Sequence, residues 1–558
     1  MPKKLAITIA GAVSLGSYEA GVLWEVLDAI RQHNTNDQTP DDAKIFIDVI
    51  TGASAGGMTA AILAQKLLYS ADEFKDPYDN PLYRAWVERI SLEGLQKTGP
   101  EENALQSVFS SDLITTISNE LITKRYAGGR LNAAVRHPAV DGALSVGLAL
   151  TNLNGLPFTH QVTPGGSFTY IDCSDQLTRT IDASADDNIA FWEPIRAAAV
   201  ACGAFPIAFR PQELIRSKAV DTEDYTSPTL AWNGDPTPFT YSDGGILQNQ
   251  PLGMAKNLVD PIDQHLQMER FYMFVSPHEK DPSPVAFRAA DANYFQMVKR
   301  LIGVATGQAG FQDWITAKEV NDRICKLDER ALQLKDVILH GQITVASLQE
   351  VATQLLVLFF PNDIHHPPGG EPETLQAAKD RISKQYTSEM NALAGIAGGA
   401  IAFRDSILAF ESAAGLGARD LMIIYGITAK ESELASTGIQ SFLGFFDRKY
   451  RDHDYDVGRD HAQKILRDPA LSATGQMGPL NFTPGPLRPI DHSLDGSQLH
   501  RLSAEDMKQF KSGMNHRVNQ MLKEINPALV LADPLADLLV DAIIDHVLGS
   551  DLSRTTAA

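Results

Sequence analysis

Ile45-Phe46-Ile47-Asp48-Val49-Ile50-Thr51-Gly52-Ala53-Ser54-Ala55-Gly56-Gly57-Met58 is the stretch that decides the fold. Ile45 to Ile50 is apolar and largely β-branched, the pattern of a strand buried within a sheet. Met58 to Leu68 reads as a helix. The turn between them consists of small residues, with glycines on both sides of Ser54. A serine in a tight strand-to-helix turn projects from the sheet edge, and flanking glycines let neighbouring backbone pass without side-chain clashes.

Outward from this unit the pattern repeats. Lys4 to Ala10 is a short apolar strand that enters a glycine-bearing loop, Gly11 to Gly16. A helical face follows, with Val22, Leu23, Val26, Leu27 and Ile30. Leu144 to Leu150 and Phe271 to Val275 read as further strands, and Leu421 to Thr428 as one late strand. Strands alternating with helices predict an α/β fold with a mainly parallel sheet covered on both faces. Residues 71–130 are more polar and predict a helical insertion; residues 215–240 predict a long surface loop. After about residue 285 the texture turns helical, clearest at Arg381–Ser412, Ala504–Ile525 and Pro534–Leu548. The expected division is an α/β domain over 1–280 and a mostly α-helical region over 281–558. In the second of those helices Met507, Phe510, Met514, Val518, Met521 and Ile525 form one stripe, read as core packing.

Composition narrows the function. At 558 residues the chain exceeds a single ordinary core. Forty-eight basic against 69 acidic side chains give a formal net charge of -21, which repels nucleic acid and anionic membrane alike. Cys173, Cys202 and Cys325 fit neither a zinc site nor a disulfide framework. The apolar run after Lys3-Lys4 is shorter than a signal-peptide core and reads as a buried strand. No stretch reaches the length of a membrane span. The expected setting is the cytoplasm or the periphery of a membrane.

Ser54 needs a base to become a nucleophile. Fourteen histidines are present, none in a distinctive local motif. The other candidate is Asp243, in Tyr241-Ser242-Asp243-Gly244-Gly245, where Gly244 and Gly245 permit a tight turn at a strand end. An ordinary aspartate is a weak base near neutrality, and burial would strengthen it. The third element is Gly11-Ala12-Val13-Ser14-Leu15-Gly16, whose backbone N–H groups can face inward and hold an oxyanion. Ser17 and Tyr18 stand where a phosphate-binding loop would carry its lysine and hydroxyl, so nucleotide binding is set aside.

Taken in order, the glycine loop, the Gly52-x-Ser54-x-Gly56 turn and the Asp243-Gly244-Gly245 turn resemble the patatin-like phospholipases. Asn249 and Pro251 extend the aspartate motif. Ile195 to Pro206, with Phe209 and Pro211, resembles the family's small-residue helix and its proline-bearing exit. The resemblance covers roughly residues 4–277. It implies a three-layer α/β/α sandwich and a Ser–Asp dyad of Ser54 and Asp243. It further implies an oxyanion hole at Gly11, Ala12, Val13, Ser14 and Gly16, with Gly52, Gly56, Gly244 and Gly245 shaping the turns. The implied activity is lipid acyl hydrolysis of phospholipase A, lysophospholipase or esterase type, with a lipid or ester substrate and no metal or cofactor. Phe445 to Arg451, with Asp454, Asp456, Gly458 and Arg459, resembles C-terminal parts of longer bacterial members.

One departure stands out. The family loop commonly reads G-G-G-x-R/K-G, and here two glycines and the basic residue are replaced. Alanine and valine still supply amides where their φ angles allow. Two other readings stay open at this point: a histidine-dependent serine esterase, and a patatin-shaped binding protein with impaired catalysis.

Overall fold

The computed structural model describes residues 2–97, 105–124, 136–162, 166–206, 208–221, 235–263, 269–279, 312–365, 373–416, 422–437, 441–473, 475–496 and 504–525, with scattered single positions between and beyond them. Among the described residues ten strands run in chain order: β1 (Lys3–Ile9), β2 (Ile45–Gly52), β3 (Leu144–Val162), β4 (Gly166–Ile181), β5 (Gln212–Arg216), β6 (Thr237–Asp243), β7 (Arg270–Glu279), β8 (Ile364–His365), β9 (Glu373–Thr374) and β10 (Ile424–Lys430). Eight of them form one sheet in the order β10-β7-β1-β2-β3-β6-β5, with β4 also paired to β3. The pairings from β10 through β3 are parallel; those of β3 with β4 and β6, and of β5 with β6, are antiparallel.

The parallel core is as apolar as its sequence requires. Leu5, Ile7, Ile9, Ile45, Ile47 and Val49 are fully buried. Two helices follow the first two strands, α1 (Gly16–Thr35) and α2 (Ala55–Tyr69). Every residue of α2 is buried, and its single charge, Lys66, is neutralised by Glu73 at 2.8 Å. A strand buried on both faces and a wholly buried helix place the start of α2 at the centre of the unit.

The structure alters several expectations. The strand begun at Leu144 continues to Val162 because β4 lies along it, and β4 itself escaped the sequence reading. Its sequence mixes polar and apolar residues without an apolar run. Residues 215–240 are not one loop: Gln212–Arg216 and Thr237–Asp243 pair antiparallel, while 222–234 lie outside the described residues. Arg381–Ser412 is broken into three helices, Leu375–Gln385, Thr387–Ala392 and Gly399–Ala413. Ala504–Ile525 is one helix as expected. Of its stripe, Met514 and Val518 are buried, and the side chains of Met507, Phe510 and Ile525 lie outside what is described. Most of Pro534–Leu548 also falls outside the described residues.

Residues 1–311 with 424–558 form one compact unit and residues 312–423 a second. This division and the change of texture near residue 285 are different cuts of the chain, because the late strand β10 returns to pair with β7. The second unit is helical apart from the short pair β8 and β9. Its core holds Ala331, Leu356, Ile382, Leu393, Phe403 and Ile407, and Arg381 bridges Glu373 and Glu411.

Within the first unit the helix Arg448–Leu466 crosses α1 at close range. A Cβ on Gly21 would strike the Tyr455 carbonyl, and one on Gly458 the Tyr18 carbonyl. Arg459 of that helix is buried, pairs with Glu25 of α1 at 2.7 Å and lies over the Trp24 ring at 4.9 Å. A buried ion pair is weak evidence for stability but fixes one register of two packed helices.

Candidate active site

The site follows from how strands share β3. β4 pairs continuously along one edge of β3 from Leu144 to Thr151. The opposite edge is therefore divided: β2 takes Ser145 to Leu148, and β6 takes Leu150 to Asn152. Gly52 faces Leu148 and Asp243 faces Leu150. Two residues of strand span about 7 Å. The ends of β2 and β6 thus meet on the same edge, and residues 189 apart in sequence become neighbours.

Ser54 lies two residues beyond Gly52 and opens α2. Its φ of 52° and ψ of -125° are foreign to helix and strand alike. Such a conformation costs about 1–3 kcal/mol and persists only where surrounding packing dictates it. The packing is visible. A Cβ on Gly56 would collide with the Ala10 carbonyl, and one on Gly52 with the Gly56 carbonyl. The turn holds its shape because backbone rests on backbone.

The Ser54 hydroxyl donates to Asp243 Oδ2 at 2.6 Å. Asp243 Oδ1 accepts the Gly245 N–H at 2.7 Å. The Asp243 amide donates to the Ala204 carbonyl at 2.9 Å, and its own carbonyl accepts from Thr151 Oγ1 at 2.8 Å. The side chain is 1% exposed. Burial pushes its pKa up to about 7, against the smaller opposing effects of the Ser54 and Gly245 hydrogen bonds. The carboxylate is fixed at both oxygens and made a better base by its surroundings.

The glycine loop lies over the same point. The Gly11 N–H is committed to the Asn249 carbonyl at 3.0 Å, which removes it from the set of free donors. Gly16 is shaped by packing, since a Cβ there would enter the Trp86 ring. The amides of Ala12, Val13 and Ser14 have no hydrogen-bond acceptor among the described residues. Val13 adopts a φ of 54°. The left-handed conformation that glycine would take freely is retained here by a β-branched residue under strain.

Above Ser54 opens an apolar pocket of about 640 Å³ including its mouth. Trp86 and Ile90 line it from a π-helical turn over Arg84–Arg89 and its exit, and the Trp86 indole donates to Thr59 Oγ1 at 2.9 Å. Ile114 and Ile117 come from the helix Asp112–Leu121 inside the 71–130 insertion. Phe205 and Phe209 come from the exit of the helix Ile189–Cys202. Phe442 and Phe445 come from a segment far downstream, just before the helix Arg448–Leu466. Among the described residues of the lining, Ser54 carries the reactive polar side chain, and none is a histidine.

Residues 7–256 match the family model of the patatin-like phospholipases. The chain carries a patatin-like phospholipase domain. That domain belongs to a family of lipid acyl hydrolases. Two curated proteins are also similar. An uncharacterized protein of Sinorhizobium fredii is 23% identical over 390 residues, covering 55% of this chain and 54% of that protein. An uncharacterized membrane protein of Mycobacterium tuberculosis is 23% identical over 310 residues, covering 50% of this chain and 28% of that protein. The chain thus spans about half the length of the first and about a quarter of the second. No helix among the described residues is long and apolar enough to cross a membrane.

The structure brings Ser54, Asp243 and the loop from Gly11 to Gly16 of the patatin-like domain together. Sequence reasoning passed over three contributors. Asn249 was legible as part of a motif, but not its job: its carbonyl holds the loop, and its side-chain oxygen occupies the space a Cβ on Gly11 or Gly245 would need. Trp86 and Phe442 gave no catalytic signal, since an aromatic residue among apolar neighbours reads as core.

Proposed function

We propose that the protein is a serine carboxylic-ester hydrolase acting on lipid acyl esters through a dyad of Ser54 and Asp243. The observation that carries this reading is the 2.6 Å hydrogen bond from the Ser54 hydroxyl to a buried, base-strengthened Asp243 carboxylate. Ser54 Oγ attacks the ester carbonyl while Asp243 Oδ2 takes its proton. Electron density moves to the carbonyl oxygen, which the amides of Ala12, Val13 and Ser14 receive. Collapse of the tetrahedral intermediate expels the alcohol, protonated by Asp243, and leaves an acyl group on Ser54. Water then attacks the acyl-enzyme with the same carboxylate as base. One well-placed oxyanion donor is worth roughly 3–4 kcal/mol of barrier. The direct Ser54–Asp243 hydrogen bond, with no histidine among the described lining residues, favours direct proton transfer over a triad.

The test is an acyl-ester and phospholipid panel on the full chain, with labelling by a fluorophosphonate probe. Wild type should hydrolyse and be labelled. Ser54→Ala should lose labelling, and both Ser54→Ala and Asp243→Asn should lose turnover by about 10⁴-fold or more. Near-normal hydrolysis by either folded variant rejects the dyad.

A further inference from the structure

We infer that the segment Ser441–Phe445, outside the matched family domain, forms a wall of the acyl site, and that Phe442 sets the length of acyl chain accepted. This rests on the reading of Ser54 and Asp243 as an acyl-transfer dyad.

The pocket is built to recognise a chain and not a headgroup. Among the described residues its lining carries no charged side chain, and the nucleophile is its one hydroxyl. Apolar contact is all it offers a bound ester beyond the reacting carbonyl, so discrimination among substrates falls on length and shape.

Phe442 is placed to perform that discrimination. It is half-buried in the lining, with its ring 6.1 Å from Phe109 of the insertion, 6.3 Å from Phe205 and 5.6 Å from Phe445. It therefore joins three separate segments at one edge of the pocket. Phe445 beneath it is buried.

The wall is held in register with the chemistry. The Ser14 hydroxyl donates to the Ser441 carbonyl, tying the wall to the loop of free amides. A Cβ on Gly444 would meet the hydroxyls of Ser14 and Ser436. Arg451 donates to the Gly444 carbonyl at 2.6 Å and to the Val87 carbonyl at 3.0 Å, joining the wall to the turn that carries Trp86. Asp454 accepts from the amides of Ala435 and Ser436 at 2.7 and 3.1 Å.

Backbone strain points to the same place. Ser441 has a φ of 65°, and like Val13 and Ser54 it is a strained non-glycine residue on or beside this pocket. Strain of this kind accumulates where a site must be preorganised.

The experiment compares wild type, Phe442→Ala and Phe442→Trp as full chains on p-nitrophenyl acetate, butyrate, octanoate and palmitate, with thermal melts of each. Removing the ring should move the kcat/KM optimum to longer esters, and enlarging it should move the optimum to shorter ones. The octanoate-to-butyrate ratio should shift by about tenfold in opposite directions. Should Phe442→Ala fail to melt cooperatively, Phe442→Leu takes its place with the same expected direction. An unchanged optimum in folded variants, with Ser54 labelled by fluorophosphonate, overturns the wall and leaves the dyad standing. A wild type that is neither labelled nor active on any ester overturns the dyad, and the wall with it.

Discussion

The turn around Ser54 and the loop from Gly11 to Gly16 do related work, yet one has kept its glycines and the other has not. In the turn, Gly52 and Gly56 face backbone carbonyls, and any Cβ meets an atom that cannot move away. In the loop, Val13 takes a left-handed φ with its side chain partly buried at the pocket. The turn requires space, which only the smallest residue provides. The loop requires a conformation, which a larger residue can adopt at a cost of about 1–2 kcal/mol. The intact motif marks a steric constraint, and the altered one marks an energetic preference.

The largest effect expected from this contrast is at the turn. Gly56→Ala drives a methyl group into the Ala10 carbonyl and should cost about 3 kcal/mol of stability or more, with turnover falling at least a hundredfold as Ser54 shifts. Chemical denaturation and ester assays would check both. A Gly56→Ala enzyme of ordinary stability would erase the distinction.

The next effect belongs to the chemistry the turn supports. Asp243 must be deprotonated to accept the serine proton, and burial holds its pKa near 7. On the acid side kcat/KM should fall about tenfold per pH unit below about 7. A profile flat down to pH 5 would deny Asp243 its role.

The same group shapes stability. Its folded value lies above the unfolded value of about 3.9, so the native state binds more protons between those limits. Its stabilising contribution is complete below about pH 4 and is lost as pH rises through 7, by a total on the order of 4 kcal/mol. Asp243→Asn should flatten that part of the melting-temperature profile. An unaltered profile would show that the carboxyl is not desolvated in solution.

The smallest effect is at the loop. Val13→Gly relieves strain but adds about 0.5–1 kcal/mol of unfolded-state entropy, so the net change should stay within about 1 kcal/mol. Turnover should remain measurable because the amide at residue 13 is kept. A loss of stability as large as that of Gly56→Ala would place the loop under the same steric rule as the turn.

Much of this was legible in residues alone. The apolar runs at Lys4–Ala10, Ile45–Ile50 and Phe271–Val275 announced buried strands, because a strand covered on both faces cannot hide its composition. Ser54 and Asp243 stood out because tight turns need particular small residues around them. β4 and β5 were not legible, and of β6 only its end at Asp243 was: antiparallel strands with one open face carry mixed sequences, and pairing rather than composition makes them strands. The resulting pocket was invisible for a related reason, as Trp86, Ile117, Phe209 and Phe442 are ordinary apolar residues in four unconnected segments.

By itself, then, the sequence determined what is local: buried strands, the helix after each, and turns whose geometry depends on glycine. The tertiary structure alone decided that β2 and β6 end on one edge of β3, that Gly11 spends its amide on Asn249, and that Phe442 and Phe445, distant in sequence from Ser54, line the pocket. Local conformation is set by the sterics of neighbouring residues, whereas convergence in space depends on which distant surfaces bury each other.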